Sequence, residues 1–353
     1  MHDLVCIIMA GGAGTRFWPV STERKPKQFL PLGSERTLLQ ASCDRLEGLC
    51  PPDRTLVLTS RAYSGLVREQ VQVGHVVGEP CRRDTAAAVA LAALLCRKLY
   101  GNATMAILTS DHHIEPVDRF QACLASAARG ARDSGRLYTF AIPPTRPETG
   151  YGYLELGPRL ERPDALHHHE LLSFREKPDR ITARHFLQEG RYYWNSGMFC
   201  WTTSAILAEL EVHLPGHLEA LAPAVQAYGT DRFEQALETS FQPLSPISID
   251  YAVMEKATRR AAVVTDYEWS DLGGWQAVED FLPEQQGNRH RGRLASLASK
   301  GNVIYCEEPE ELVSLVGVEN LVVVRAGNRT LVAHRDHLEE VKKLVGSLSA
   351  EER

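Results

Sequence analysis

The 353-residue chain has no CxxC pair among its eight cysteines, no Gly-Lys-Ser/Thr run of a Walker A loop and no GxSxG elbow. These absences speak against a thiol-based metal or redox motif, a P-loop nucleotidase and a serine hydrolase of the nucleophile-elbow type. Long apolar runs are missing too. The longest, Ala86 to Cys96, is far too short to cross a bilayer, and Met1-His2-Asp3 leads straight into a strand-like segment with no basic leader. With Cys6, Cys43, Cys50, Cys81, Cys96, Cys123, Cys200 and Cys306 mostly inside apolar runs, a cytoplasmic chain with reduced thiols is expected. Lysine is scarce as well, with 8 Lys against 31 Arg.

Apolar residues make up 44% and charged residues 24%, the balance of a folded globular protein. The net charge of −6 argues against nucleic-acid or anionic-membrane partners. It is unevenly spread, because Arg16, Arg24, Lys25 and Lys27 face only Glu23 between Gly11 and Leu32, so this segment is +3 and the remainder −9. A small, focused binding site for anions is compatible with that distribution.

Short β-branched runs alternate with helical patterns over the first third: strand Leu4–Met9, helix Thr37–Leu46, strand Thr55–Thr59, helix Ala62–Val71, strand Val76–Val77, helix Asp84–Leu99, strand Met105–Leu108. This rhythm predicts parallel βαβ units, with Asp84-Thr85 capping a helix whose alanine-rich face packs on the sheet. A mixed segment follows Ile142, with strands at Gly152–Leu156 and Leu171–Phe174. The polar stretch Leu282 to Asn288 reads as a linker, and short strands from Gly301 onward precede a helix over Asp336–Leu348. No long repeat is evident. The expected division is a large α/β domain over residues 1–285 and a short tail over 286–353.

Strand Leu4–Met9 runs into Ala10-Gly11-Gly12-Ala13-Gly14-Thr15-Arg16, where three positions lack a Cβ and backbone N–H groups can cradle phosphates. A dinucleotide fingerprint would need glycine where Phe17 stands. Phe17-Trp18-Pro19, Ser21 and Pro26-Lys27-Gln28-Phe29-Leu30-Pro31-Leu32 follow. This run resembles the signature of the sugar-phosphate nucleotidyltransferases, and Lys27-Gln28-Phe29 is most similar to the mannose-1-phosphate guanylyltransferases. The resemblance continues through Gly78-Glu79-Pro80, Arg83-Asp84-Thr85, Ser110-Asp111-His112, Thr149-Gly150-Tyr151-Gly152-Tyr153, Phe174-Arg175-Glu176-Lys177-Pro178, Trp194-Asn195-Ser196-Gly197-Met198-Phe199, Ser248-Ile249-Asp250 and Ser270-Asp271-Leu272-Gly273-Gly274-Trp275.

The resemblance implies an α/β fold with a Rossmann-like, doubly wound mixed sheet of the GT-A type and a β-rich tail like a partial left-handed β-helix. It implies attack of a mannose 1-phosphate oxygen on the α-phosphate of GTP, with Mg²⁺, yielding GDP-mannose and pyrophosphate. Both reactants are anions, so the protein's task is positioning and charge neutralisation. Arg16 and Lys27 are the catalytic candidates. Ala10, Gly11, Gly12, Gly14, Thr15, Glu79, Arg83, Thr85 and Ser110 are expected at the nucleotide. Gly150, Tyr151, Glu176, Lys177 and Asn195 are expected at the sugar phosphate, and Asp111 and Asp271 at the metal. A homodimer is expected, and a phosphomannose isomerase half like that of some long relatives is not expected after the tail.

Departures and alternatives matter. Gly274 stands where Ser is more usual before Trp275. Another base or sugar, such as UTP or dTTP with glucose 1-phosphate or a guanylyl transfer to a heptose phosphate, would use the same machinery. A silent regulatory homologue is disfavoured by the joint presence of Arg16, Lys27, Asp111, Lys177 and Asp271, and a nicotinamide dehydrogenase by Phe17. The run His167-His168-His169 reads as a solvated loop, Pro215-Gly216 separates His213 from His217, and His112-His113 suits a triphosphate-bound hard cation poorly.

Overall fold

The computed structural model describes residues 3–12, 14–349 and 351–353, so the expectations resting on Met1-His2 and on Ala13 lie outside the described residues. The chain forms two compact units. One comprises Met1–Gly11, Ser42–Ser110 and Ile114–Trp269, and the other Gly12–Ala41, Asp111–His113 and Ser270–Arg353.

The first unit is built on a nine-stranded sheet. Its strands are β1 (Leu4–Ala10), β2 (Thr55–Ser60), β3 (His75–Glu79), β4 (Thr104–Thr109), β5 (Leu137–Ile142), β6 (Tyr153–Leu160), β7 (His168–Arg175), β8 (Tyr192–Thr202) and β9 (Arg260–Val264), in the order β3-β2-β1-β4-β8-β5-β9-β7-β6. Strands β1 to β4 are mutually parallel, in the registers Cys6↔Thr55, Cys6↔Ala106 and Leu56↔His75. Helices cover both faces of such strands, which is why β1 reads as a continuous apolar run and is buried along most of its length. Strand β8 pairs antiparallel with β4 and β5, giving the expected mixed sheet.

Helix α1 (Asp84–Tyr100) buries every residue from Ala86 to Ala93. Small side chains let neighbouring elements approach on all sides, as a helix apolar all round requires. The expected cap does not form, because the N-cap position falls on Arg83, which makes no side-chain cap bond. Asp84, at φ 62°, accepts from the Thr85 N–H at 2.7 Å, while Thr85 Oγ1 accepts from the Ile249 N–H at 2.9 Å.

The histidine run is a correction. His168 opens β7 and is fully buried, with Nε2 2.8 Å from Ser126 Oγ and 3.4 Å from Asp164 Oδ1. Strand alternation turns His168 inward while His167 stays exposed, and burial lowers the His168 pKa despite the Asp164 charge.

In the second unit the stretch expected to be a linker is a hairpin, with Glu284–Gln285 pairing antiparallel to β10 (Asn288–Arg291) across Gln286-Gly287, both at positive φ. Strands β10, β12 (Val303–Cys306) and β14 (Leu321–Ala326) stack in parallel, and β11 (Arg293–Leu297) pairs in parallel with β13 (Leu312–Val316). Strand β15 (Arg329–His334) closes the stack antiparallel to β14. These parallel coils give the expected β-helix-like tail. Buried Asn302 donates to Asn288 Oδ1 at 2.8 Å and accepts from the Leu321 N–H at 2.9 Å, so asparagines on successive coils bind one another. Phe17, Trp18, Leu30 and Leu38 share one core with Trp275, Tyr305 and Val322 of this unit. Burying each large side chain contributes about 1.5–3 kcal/mol.

Candidate active site

In the second unit, Lys27 heads the single turn Lys27–Phe29 and its side chain is buried. A buried ammonium needs partners. Lys27 Nζ donates to Asp111 Oδ2 at 3.2 Å and to the Asp271 carbonyl at 2.5 Å. Burial pushes the Asp111 carboxyl up, but the Lys27 ammonium and His112 outweigh it and hold the group below the usual carboxylate range. Gly14, at φ 62°, fits under Lys27, and a Cβ there would lie 2.5 Å from Lys27 Cβ.

Asp271 Oδ1 accepts from the Gly273 N–H at 3.0 Å, and Arg16 Nη1 donates to the Gly273 carbonyl at 3.4 Å. Arg16 is half-exposed, with Nε 3.8 Å from Glu339. Thr15 opens the turn Thr15–Phe17, and the Cβ position of Gly12 meets open space. His112 lies 4.0 Å from Asp111 Oδ1, while His113 packs on the Phe281 ring at 4.2 Å. Among the described residues no three His, Cys, Asp or Glu side chains form a metal cage. The oxygen donors of Asp111 and Asp271 instead fit a hard cation that takes its remaining ligands from phosphates and water.

In the first unit, Ala10 ends β1 and its carbonyl accepts from Thr59 Oγ1 at 2.8 Å. A Cβ on Gly11 would lie 3.9 Å from Glu79 Oε2. Glu79 ends β3 with Oε1 fully shielded and without a partner, and burial pushes the carboxyl up to about 8. Arg83 donates to the Phe241 and Gln242 carbonyls, each at 3.0 Å, so its guanidinium is engaged with the chain, as is Thr85 with Ile249. The Ser110 N–H is bound to the Met9 carbonyl.

The sugar-side candidates converge more closely. A Cβ on Gly152 would fall 2.5 Å from Glu176 Oε2 and 3.3 Å from Asn195 Cβ, so only glycine lets the Glu176 carboxylate reach this backbone. Glu176 Oε1 pairs with Lys177 Nζ at 2.8 Å; burial alone would lower the Lys177 pKa, but Glu176 outweighs it and raises it. Lys177 holds φ 44°, a left-handed backbone of the kind that concentrates at ligand sites. Tyr151 is wedged edge-on between Trp194 and Trp269, each 5.2 Å away, and the Gly150 N–H donates to Glu148 Oε1 at 3.1 Å. Asn195 Nδ2 donates to Asp250 Oδ1 at 3.1 Å. Asp250 was not among the expected site residues, although Ser248-Ile249-Asp250 belongs to the resemblance.

Each unit thus carries its own group of charged and polar side chains, Lys27 with Asp111 and Asp271 in one and Glu176 with Lys177, Asn195 and Asp250 in the other. The chain belongs to the nucleotidyl transferase family, which matches residues 5–286. Residues 292–348 match the MannoseP isomerase/GMP-like beta-helix domain. The mannose-1-phosphate guanylyltransferase of Escherichia coli is 38% identical over 99% of this chain and 75% of its own length. The xanthan biosynthesis protein XanB of Xanthomonas campestris is 38% identical over 99% of this chain and 74% of its length. The crystal structure of mannose-1-phosphate geranyltransferase from Thermus thermophilus superposes with a TM-score of 0.86, at 35% identity and 98% coverage of both chains.

Proposed function

We propose that this enzyme transfers GMP from GTP to α-D-mannose 1-phosphate, releasing pyrophosphate. The observation that carries the choice of substrates is the similarity, across 98–100% of the chain, to several mannose-1-phosphate guanylyltransferases. Arg16, whose planar guanidinium suits bidentate contact with phosphate oxygens, takes the departing pyrophosphate. Lys27, oriented by Asp111 and the Asp271 carbonyl, offers a compact charge to the phosphoryl group under attack. Asp111 and Asp271 would hold Mg²⁺, which when bound supplies further neutralisation of the triphosphate. Glu176, Asn195 and Lys177 read the sugar hydroxyls and its phosphate. The same reading makes the enzyme a cytoplasmic homodimer, supported by cysteines that form no disulfide among the described residues and by the exposed cross-strand pair Leu297 and Val316 of the tail.

The test is pyrophosphate release over a matrix of four nucleoside triphosphates and several sugar 1-phosphates. Preference for GTP with mannose 1-phosphate supports the assignment, and preference for any other pair overturns it.

Glu79 makes a second expected outcome. A guanine edge presents N1–H and N2–H donors, which an ionised carboxylate accepts and a carboxylic acid accepts poorly. The raised pKa of about 8 means the empty site holds a proton at neutral pH, so GTP binding expels it. The GTP KM should therefore fall by several-fold as pH rises from about 6.5 to about 8.5, and level off above the Glu79 pKa. In Glu79→Gln the KM should be high and its pH dependence lost. Parallel wild-type and Gln profiles would remove Glu79 from base reading.

A further inference from the structure

Asn195 can serve a sugar hydroxyl only if its amide is held one way round. Thr139 Oγ1 lies 3.0 Å from both Asn195 Oδ1 and the Met198 carbonyl, yet a hydroxyl has one proton to give. Thr139 therefore cannot set the amide by itself: its proton can go to Met198, leaving its lone pairs to accept from a reversed amide. Asp250 is the remaining neighbour. As a carboxylate it can only accept, which forces Nδ2 toward it, the observed arrangement. As a carboxylic acid it could donate to Oδ1, and the reversed chain would be equally complete, running from Asp250 to Asn195 to Thr139 to the Met198 carbonyl.

Asp250 begins the π-helical turn Asp250–Met254, which is anchored at Ile249 by Thr85, and π turns of this sort are frequent at functional sites. The charged and titratable groups around it are Glu176 and Lys177 beyond β7, Tyr251 on its own turn and Glu255 just after that turn, with Glu255 Oε1 accepting from the Glu176 N–H at 3.4 Å.

We propose that Asp250 is a positioning residue whose ionised carboxylate fixes the Asn195 amide in the sugar-binding orientation, so that its protonation lets the amide reverse and weakens the sugar subsite. This rests on the sugar-reading role given to Asn195 above. Burial first, then the Glu176 charge, push the Asp250 carboxyl up to about 7, which puts the change within the working pH range.

The test measures KM for mannose 1-phosphate and for GTP between about pH 6 and pH 8.5 in wild type, Asp250→Asn and Asp250→Ala, with thermal melting as a control for folding. In wild type the sugar KM should fall by about three- to tenfold through pH 7, beyond the change that Asp250→Asn shows from titration of the sugar phosphate itself. Asp250→Ala should raise the sugar KM by about tenfold or more with the GTP KM unmoved, since only the amide is released. Identical pH profiles in wild type and Asp250→Asn, or equal rises of both KM values in Asp250→Ala, would overturn the proposal. Where the substrate matrix selects another sugar 1-phosphate, the mannose assignment fails by itself and the same profiles are measured with the preferred sugar.

Discussion

Lys27→Ala should lower kcat by about 10²–10³-fold, the range seen when one preorganised charge or donor is removed from a reacting centre. Lys27 Nζ is held by the Asp111 carboxylate at 3.2 Å and the Asp271 carbonyl at 2.5 Å, so little reorganisation is needed when an anion arrives. A water replacing the ammonium would be free to rotate and would carry no net charge. The fold should survive, because Asp111 keeps about a third of its side chain in solvent and can regain hydration or a proton once its partner has gone. The sign of the linked stability change follows from the lowered Asp111 pKa. The pair stabilises the folded state above the unfolded carboxylate pKa, and that contribution fades as pH falls through the lower folded value. Melting curves of wild type and Lys27→Ala should thus differ most at neutral pH and converge in acid. Turnover within about threefold of wild type, in a protein with an unchanged near-ultraviolet spectrum, would take Lys27 out of the mechanism.

How much of this was legible in the chain depends on how far apart the partners are in sequence. The glycine loop and Lys27 lie within one short segment, so their closeness, with Gly14 packed against Lys27, is readable from the chain. The Lys27 to Asp111 pair spans 84 residues and the Asn195 to Asp250 pair 55, and nothing local announces either contact. Asp250 was visible as part of a motif, but its role depends on a buried neighbour that only the folded sheet supplies. His168 was misread because a histidine run beside Pro163-Asp164 has loop composition, and only pairing with β6 and β9 shows which histidine turns inward. The β-helix-like tail was legible through the resemblance, but the hairpin that opens it was not, because the Gln286-Gly287 turn has the composition of a linker.

Gly14→Ala should be the most damaging change outside the charged groups themselves. Gly14 adopts φ 62°, where a side chain costs about 1–2 kcal/mol before any contact is counted. The added Cβ would meet Lys27 Cβ at 2.5 Å, the Lys27 backbone nitrogen at 2.7 Å and Ser21 Oγ at 2.8 Å. Two of these three atoms are backbone or directly attached to it, so no side-chain rotation clears them and the Lys27 turn must move. A displacement of about 1 Å at a reacting group can cost about 10²-fold in rate, so kcat should fall by that order while the melting temperature drops by several degrees. Gly12→Ala is the control: its Cβ position has no atom within 4 Å, so its melting temperature should match wild type. The decisive comparison is the double variant Gly14→Ala, Lys27→Ala. If Gly14 acts by placing the Lys27 ammonium, adding Gly14→Ala to Lys27→Ala should cost little further kcat, although the stability loss persists because an alanine at position 27 keeps its Cβ. Multiplicative losses in kcat would mean that Gly14 serves the reaction by another route, such as the backbone of the loop itself.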